Sequence, residues 1–150
     1  MNLIPILRSG EVASRLSLSE TPRSVILQTV QMYARRGYVE PWIGYLAAEG
    51  DVWVGGCSFT APPADGMVEI AYFTFPGFEG RGVATNMAQR LIAVAKESDS
   101  SLDIMAHTLP EENASNHILK KLGFAFTGTV DHPEDGKIWE WSYEPKSRKA

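Results

Sequence analysis

The segment 79–84 carries the residue types best suited to holding a charged ligand. It contains Gly80 and Gly82, and glycine lets the backbone approach a ligand while free N–H groups point outward. It is not a dinucleotide-binding turn, because Thr85 occupies the place of the third glycine, and no Gly-Lys-Ser/Thr follows as in a phosphate loop. Taken alone, the glycine pair is equally compatible with a phosphate site and with a plain loop-to-helix connection.

Two predicted elements hold this segment in position. Residues 67–75 are rich in β-branched and aromatic side chains and predict a strand. Residues 83–98 place Val83, Met87 and Leu91 on one apolar face and predict a helix. The segment therefore joins a strand to the positive end of a helix dipole, which favours an anion.

The remaining elements alternate as in a layered α+β protein. A helix is predicted at 22–36, opened by Thr21-Pro22, and another at 114–122, closed by Gly123, while residues 10–20 leave a further short helix open. Further strands are predicted at residues 2–8, 42–47, 52–60, 102–108, 124–130 and 137–143. This order predicts a mixed, mostly antiparallel central sheet of about six to seven strands flanked by helices.

Composition narrows the class of protein. With 150 residues, 44% hydrophobic and 21% charged, the chain suits one globular domain over residues 1–150. Its apolar runs fall far short of the roughly 20 residues of a membrane-spanning helix, and no secretory pattern opens the chain, so we expect a cytoplasmic protein without a membrane partner. A net charge of −4 argues against nucleic-acid binding. One cysteine and three scattered histidines give no metal-ligand spacing, so no metal is predicted.

Two motifs at a set separation connect the chain to a known family. Residues 69–75 followed by Gly80-Arg81-Gly82-Val83-Ala84, and downstream Ser115 with Lys121-Leu122-Gly123-Phe124, resemble the GCN5-related N-acetyltransferase (GNAT) superfamily. The resemblance is strongest to the branch that acetylates ribosomal-protein N-termini and covers about residues 67–130. It implies the acyl-CoA N-acyltransferase fold. It also implies an enzyme that moves an acetyl group from acetyl-CoA to a primary amine by direct attack in a ternary complex.

The resemblance assigns the coenzyme mainly to backbone groups. The amides expected to hold its pyrophosphate are those of Gly80, Arg81, Gly82, Val83 and Ala84. Strand 67–75 is expected to splay from strand 102–108, which would free backbone groups to pair with the pantetheine arm and polarise the thioester. The residues that would supply those groups are Phe73, Thr74 and Phe75. Glu79 places an acid where the family usually has a polar or cationic side chain, and Arg81 could offset that charge by facing the phosphates.

Glu69 is the residue that the resemblance marks as the general base. Transfer needs a neutral amine, so a base must remove a proton from the ammonium, directly or through water. Glu69 lies on the strand expected to carry the thioester, and strand alternation places Ala71 and Phe73 on its side. Pairing with a lysine or arginine, or the orienting of a loop, stays equally open for Glu69. His107 is the second candidate, because histidine titrates near neutral pH, although a solvent-facing or substrate-orienting role is as open.

The group that protonates the departing thiolate is less defined. Many relatives use a tyrosine four residues before the Gly-Phe pair, where this chain has Leu119. The alternatives are Ser115, which matches a serine of the ribosomal branch, Tyr72 or a water. A helix cap is the other interpretation of Ser115, and Asn113 could equally supply that cap. The branch usually has an asparagine where this chain has Glu112, so either the helix start is shifted or Asn113 has taken over the coenzyme contact.

Other functions stay open at this point. Because Glu79 and Leu119 depart from the family pattern, the chain could instead be a catalytically silent CoA-binding regulatory module. A third possibility is a domain that binds another phosphate ligand without thioester chemistry. The acceptor could be a protein N-terminus, a lysine or a small-molecule amine, and the acidic net charge weakly favours cationic acceptors. Relatives are often dimers, and the strand-rich segment 124–143 offers a surface for a homodimer.

Overall fold

A computed structural model of the chain describes residues 1–111, 113–133 and 136–144. The strands are β1 (Asn2–Pro5), β2 (Gly44–Glu49), β3 (Val52–Phe59), β4 (Met67–Thr74), β5 (Asp103–Thr108), β6 (Phe124–His132) and β7 (Gly136–Tyr143). The helices are α1 (Glu20–Arg36), α2 (Val83–Ser98) and α3 (Ala114–Leu122). All the strands join one 7-stranded sheet in the order β1-β2-β3-β4-β5-β7-β6. The predicted α+β fold with a mixed sheet is confirmed.

The sheet is antiparallel except at one junction, where β4 runs parallel to β5. This parallel pairing begins at Met67 opposite Asp103 and ends at Ile70 opposite Ala106. Beyond that point β4 continues to Thr74 against β3 alone, while β5 continues to Thr108 against β7. The two strands therefore splay apart in the middle of the sheet, as the resemblance implied.

The two long helices cover opposite faces of this sheet. A Cβ atom added to Gly55 would lie 2.9 Å from the Met87 side chain of α2, whereas one on Gly56 would lie 2.9 Å from Val25 of α1. Adjacent strand residues point to opposite faces, so α1 and α2 are on opposite sides. Gly56 pairs with Phe73, which places Phe73 and its alternate neighbours on the α1 face.

Glycines allow α1 to lie close to the sheet. A Cβ atom on Gly44 would lie 2.6 Å from the Thr29 side chain, which is too close for two carbon atoms, so any larger residue at position 44 would push α1 away from the sheet. The buried Tyr33 hydroxyl donates to the Ile6 carbonyl at 2.7 Å and accepts from the Gly44 amide at 2.8 Å. These contacts fix α1 against β1 and β2, and with it one wall of the space over β3 and β4.

Several predicted boundaries move. The first helix begins at Glu20 rather than Pro22, with Ser19 rather than Thr21 at its N-cap. Proline fits the whole first turn, because the N–H groups there have no intrahelical partner, so it does not fix the first helical residue. Residues 10–19, all of which are described, form no helix, and β1 ends at Pro5. The helices over 83–98 and 114–122 have the predicted bounds.

Candidate active site

A cavity of about 840 Å³ lies between α1 and the α1 face of β3 and β4. Its floor includes Thr60, Glu69, Ala71 and Phe73, and its wall includes Val25 of α1. Glu69, Ala71 and Phe73 share the face, as strand alternation predicted. Phe73 is 52% exposed, which is unusual for a large apolar side chain inside a cleft and leaves its ring available to a ligand.

The start of α2 is open to a ligand. Gly80 and Gly82 adopt left-handed backbone angles, with φ of 78° and 76°, which other residues reach only at a cost. Gly82 is the N-cap of α2, and neither a side-chain cap nor an acidic side chain occupies the first turn. The first amides of α2 therefore have no side-chain acceptor and stand at the positive end of the helix. Their binding of a pyrophosphate stays a prediction, with a geometry that suits it.

Glu79 is held by its own loop. Its Oε1 atom accepts a hydrogen bond of 2.8 Å from the Gly77 amide, a local turn contact two residues back. The Arg81 guanidinium lies over the Phe78 ring, 5.5 Å from its centroid, and both Arg81 and Glu79 are exposed. The acid that departs from the family pattern thus shapes the loop, and its carboxylate is directed at Gly77.

The backbone groups at the free edge of β4 belong to different residues from those expected. The Glu69 carbonyl accepts from the Thr60 amide and the Phe75 amide donates to Val54, so the odd-numbered residues of β4 direct their backbone groups towards β3. The Phe75 carbonyl is also taken, by the Phe78 amide. Phe73 pairs with Gly56 in the same alternation, so its backbone groups also face β3. The expectation that Phe73 and Phe75 have free backbone groups is therefore wrong. By alternation, the groups that face the splay are those of Tyr72 and Thr74.

Glu69 belongs to a polar row that crosses the sheet. His107 Nδ1 lies 2.9 Å from Glu69 Oε2, and His107 Nε2 lies 3.1 Å from Glu140 Oε2. The first contact is close but off the line of a well-formed hydrogen bond, whereas the second is a hydrogen bond. The Thr60 hydroxyl donates to Glu69 Oε1 at 3.2 Å. We call Glu69, His107 and Glu140 the carboxylate-histidine row.

The row raises the pKa of His107. The close contact with the Glu69 carboxylate is the largest cause, and the carboxylate of Glu140 adds to it, while burial opposes both by disfavouring the charged ring. Among the described residues, the charged partner of Glu69 is His107 and not the lysine or arginine that the sequence left open. The sequence interpretation missed Glu140. Only the β5–β7 register, which pairs His107 with Glu140, brings the two together, and a sequence pattern does not give a register.

Tyr72 and Ser115, both considered as proton donors, lie together. Burial raises the pKa of the Tyr72 hydroxyl, and a side-chain hydrogen bond with Ser115 partly counters that effect. The contact connects β4 to the first turn of α3 beside the splay. Leu119, where many relatives have a tyrosine, is fully buried in the core.

Asn113 is the N-cap of α3. Its side-chain oxygen accepts from the Asn116 amide at 3.3 Å, so Asn113 and not Ser115 caps the helix. The predicted coenzyme contact of Asn113 stays a prediction, and the cap leaves its side-chain NH2 group available for it. Glu112, which stands where the ribosomal branch usually has an asparagine, lies outside the described residues.

No helix in the described part of the chain is long and apolar enough to cross a membrane. Nor does any group of three or more His, Cys, Asp or Glu residues come together as metal ligands within that part of the chain.

Similar folds occur among solved acetyltransferases. The microcin C7 self-immunity acetyltransferase MccE, solved with acetyl-CoA and AMP, matches with a TM-score of 0.65 and 19% identity over 83% of this chain and 70% of that chain. An acetyltransferase from Salmonella typhimurium that modifies the N-terminal serine of a 50S ribosomal subunit protein matches at 0.64 and 17%, over 87% and 77%. A mutant of the spermidine N-acetyltransferase SpeG from Vibrio cholerae matches at 0.61 and 12%, over 79% and 74%. Identities this low show a shared fold.

The family itself is shown by a sequence model. A search of curated proteins finds no match for the chain. The family model described as an acetyltransferase (GNAT) domain, however, matches residues 9–125, which include α1, the splayed strands and the start of α2. The chain therefore belongs to the GNAT acetyltransferase family of acetyl-CoA-dependent acyltransferases, as its motifs predicted.

Proposed function

We propose that the chain transfers an acetyl group from acetyl-CoA to a primary amine by direct attack within a ternary complex. The observation that carries this proposal is the position of Glu69, which lines the cavity over β4 on the strand whose edge is left open by the splay. A carboxylate next to an unpaired strand edge supplies a base beside a place where an extended thioester arm can pair.

Acetyl-CoA is proposed to lie along the splay with its pyrophosphate at the start of α2. The pantetheine arm would pair with backbone groups of Tyr72 and Thr74, and the amides of residues 80–84 would hold the pyrophosphate at the positive helix end. One of the β4 amides would donate to the thioester oxygen. Such a donor is worth about 2.7–4 kcal/mol where negative charge develops on the oxygen.

The chemical step needs three proton transfers. Glu69 would take the first proton from the ammonium, the nitrogen would attack the thioester carbon, and the C–S bond would break with its electron pair on sulfur. Tyr72 or Ser115, which share a hydrogen bond, would give a proton to the thiolate and would be reprotonated by the second proton, which the nitrogen loses as the amide forms. The products are an amide and free coenzyme A.

The acceptor is proposed to enter from the α1 side. A volume of about 840 Å³ lies within the usual range for small-molecule sites, about 300–1,000 Å³, and would also take the end of a peptide. Similar folds include enzymes whose names give a protein N-terminal serine and spermidine as substrates, so both classes are proposed for this chain. The homodimer predicted from residues 124–143 stays a prediction; Phe126 there is 51% exposed.

A thiol-release screen tests the proposal. Acetyl-CoA and a panel of N-terminal peptides, free lysine derivatives and polyamines are mixed with the full chain, and released coenzyme A is measured together with the melting temperature. We expect acetyl-CoA to stabilise the chain by about 2.7 kcal/mol at 100 times its Kd, and at least one amine to give turnover.

The other outcomes separate the rival functions. Stabilisation by acetyl-CoA without turnover on any amine would indicate the catalytically silent CoA-binding module. Stabilisation by a nucleotide but not by acetyl-CoA would indicate a different phosphate ligand and would overturn the proposed function.

A further inference from the structure

The carboxylate-histidine row is continuous with polar groups on four strands and at the end of a fifth. It begins at Thr60, next to the end of β3, passes through Glu69 of β4, His107 of β5 and Glu140 of β7, and ends at Thr127 of β6. The Thr127 hydroxyl donates to the Glu140 carbonyl at 3.1 Å and to Glu140 Oε1 at 3.3 Å. Glu69 lines the cavity, and His107, Glu140 and Thr127 each lie one strand further from it, towards the edge strand β6.

The His107 ring lies between two carboxylates. Nδ1 is 2.9 Å from Glu69 Oε2 and Nε2 is 3.1 Å from Glu140 Oε2, whereas a neutral ring has a single N–H and can donate to only one of them. One extra proton, either on the ring or on Glu69, allows both contacts to be favourable. The row therefore holds a proton that it can lose and regain.

His107 is the most covered member of the row. The side chains of His107, Glu69 and Glu140 are 20%, 29% and 30% exposed. Of the three residues, Glu69 lines the cavity. An amine in the cavity would thus meet Glu69 first, with His107 as the next acceptor along the row.

We propose that Glu69, His107 and Glu140 act as a proton relay, in which Glu69 takes the proton of the acceptor amine, His107 stores it and Glu140 stabilises the resulting imidazolium. This inference rests on the proposed function and deepens it. In the free enzyme the relay must first lose its proton to solvent. The N–H bond of the ammonium then breaks as the amine attacks, the proton passes from Glu69 to Nδ1, and the positive charge ends on the ring beside the Glu140 carboxylate.

Within this relay His107 and Glu140 are positioning residues, because neither is expected to touch the substrate. A carboxylate alone has an ordinary pKa near 4.3, far below that of an ammonium, so it holds the proton poorly. A ring between two carboxylates holds it better, because the contact with Glu69 and the charge of Glu140 both raise the pKa of His107. Besides Glu69, the titratable residues that line the same cavity are Glu20, Arg35, Arg36, Cys57, Tyr72 and His132. Strand alternation directs the side chains of Cys57 and Tyr72 to the other face of the sheet.

The pH dependence of turnover tests the relay. Activity of the wild-type chain is expected to fall as the pH drops through the raised pKa of His107, because the protonated ring accepts no further proton. Glu140→Gln removes one of the charges that raise this pKa, so the acidic limb of kcat should move to lower pH. His107→Asn should remove the limb at the histidine pKa and lower the plateau of kcat by about 10²-fold, the lower end for acid-base groups.

Asp103→Asn is the matched control. Asp103 is an exposed carboxylate on β5, on the same face as His107 by strand alternation, and its neutralisation changes the protein charge by the same amount as Glu140→Gln. Asp103→Asn should show the acidic limb of kcat at the same pH as the wild type. The three histidines of the chain also allow the His107 ring to be followed by NMR, with assignment from the His107→Asn spectrum.

The outcomes are distinguishable. A shift of the limb in Glu140→Gln together with a lower ring pKa in the NMR titration supports the relay. Profiles of Glu140→Gln and Asp103→Asn that coincide, or a His107→Asn variant that keeps the wild-type limb, would overturn the relay while leaving the proposed function intact. A wild-type chain that binds acetyl-CoA but acetylates no amine would overturn the proposed function, and the relay with it.

Discussion

The start of α2 and the carboxylate-histidine row are the two parts of the proposed site, and they differ in the groups they offer: backbone amides in the first and side chains in the second. The first presents backbone amides on a glycine turn, with Glu79 directed back at Gly77. The second consists of side chains whose distances depend on the registers of β4, β5 and β7. A backbone site tolerates changes of side chain as long as the turn persists, whereas a side-chain site fails when one member is lost. Binding and chemistry should therefore separate under mutation.

The largest separation is expected from Glu69→Gln. The change removes the proposed base yet keeps the shape of the side chain and its contact with Thr60, so kcat should fall by about 10²–10⁴-fold. Stabilisation by acetyl-CoA should stay as in the wild type, because Glu69 lies on the floor of the acceptor cavity. Coenzyme release and thermal unfolding measure the two effects.

Glu97→Gln, an exposed position near the end of α2, controls for the loss of one negative charge. A Glu69→Gln variant with kcat within about threefold of this control would show that Glu69 is not the base, since acid-base groups contribute far more.

Gly82→Val is expected to do the opposite and weaken the binding of acetyl-CoA. A β-branched residue at φ 76° strains the turn by about 1–3 kcal/mol, and any rearrangement turns the first amides of α2 away from the pyrophosphate. The Kd for acetyl-CoA should rise by about tenfold, the equivalent of roughly 1.4 kcal/mol. Isothermal calorimetry measures the affinity.

Gly50→Val is the matched control for strain. Gly50 has φ of 58° in the β2–β3 turn and, like Gly82, has no atom within 4 Å of an added Cβ. Both variants should lose a similar amount of unfolding free energy, but only Gly82→Val should lose affinity. Equal affinities in the two variants would remove the start of α2 from the coenzyme site.

A smaller effect is expected at the proton donor. Coenzyme A leaves as a thiolate, and a thiol has an ordinary pKa near 8.5, so its departure needs little help at neutral pH. Tyr72→Phe and Ser115→Ala should each lower kcat by less than about tenfold, and the double variant should lose less than the product of the two, because their hydroxyls share one hydrogen bond. Fully multiplicative effects would contradict a shared role.

The two regions also differ in how far the sequence predicts them. The glycine turn lies within a few residues of the α2 start, so Gly80 and Gly82 and the helix bounds could be predicted from local pattern alone. The free edge at Tyr72 and Thr74 and the partner of His107 could not be, because strand register decides which backbone groups and side chains face each other. Phe75 illustrates the difference: the predicted strand end at Phe75 lies one residue beyond the observed end at Thr74, but the Phe75 amide donates to the Val54 carbonyl rather than facing the free edge.

The smallest effect concerns the stability of the row itself. The folded pKa of His107 is raised above its ordinary 6.5, so the row contributes stability that is fully present below pH 6.5 and is lost as the pH rises through the folded pKa. The contribution should be below about 1 kcal/mol, because the groups are partly exposed and solvent screens them. Urea unfolding of the wild type and Glu140→Gln between about pH 5 and 9 measures it, above the range in which glutamates titrate. The difference between the two should shrink as the pH rises. A difference in unfolding free energy that stays constant over this range would mean that Glu140 does not stabilise a charged His107. The carboxylate-histidine row would then lack the electrostatic coupling between side chains that distinguishes it from the backbone amides at the start of α2.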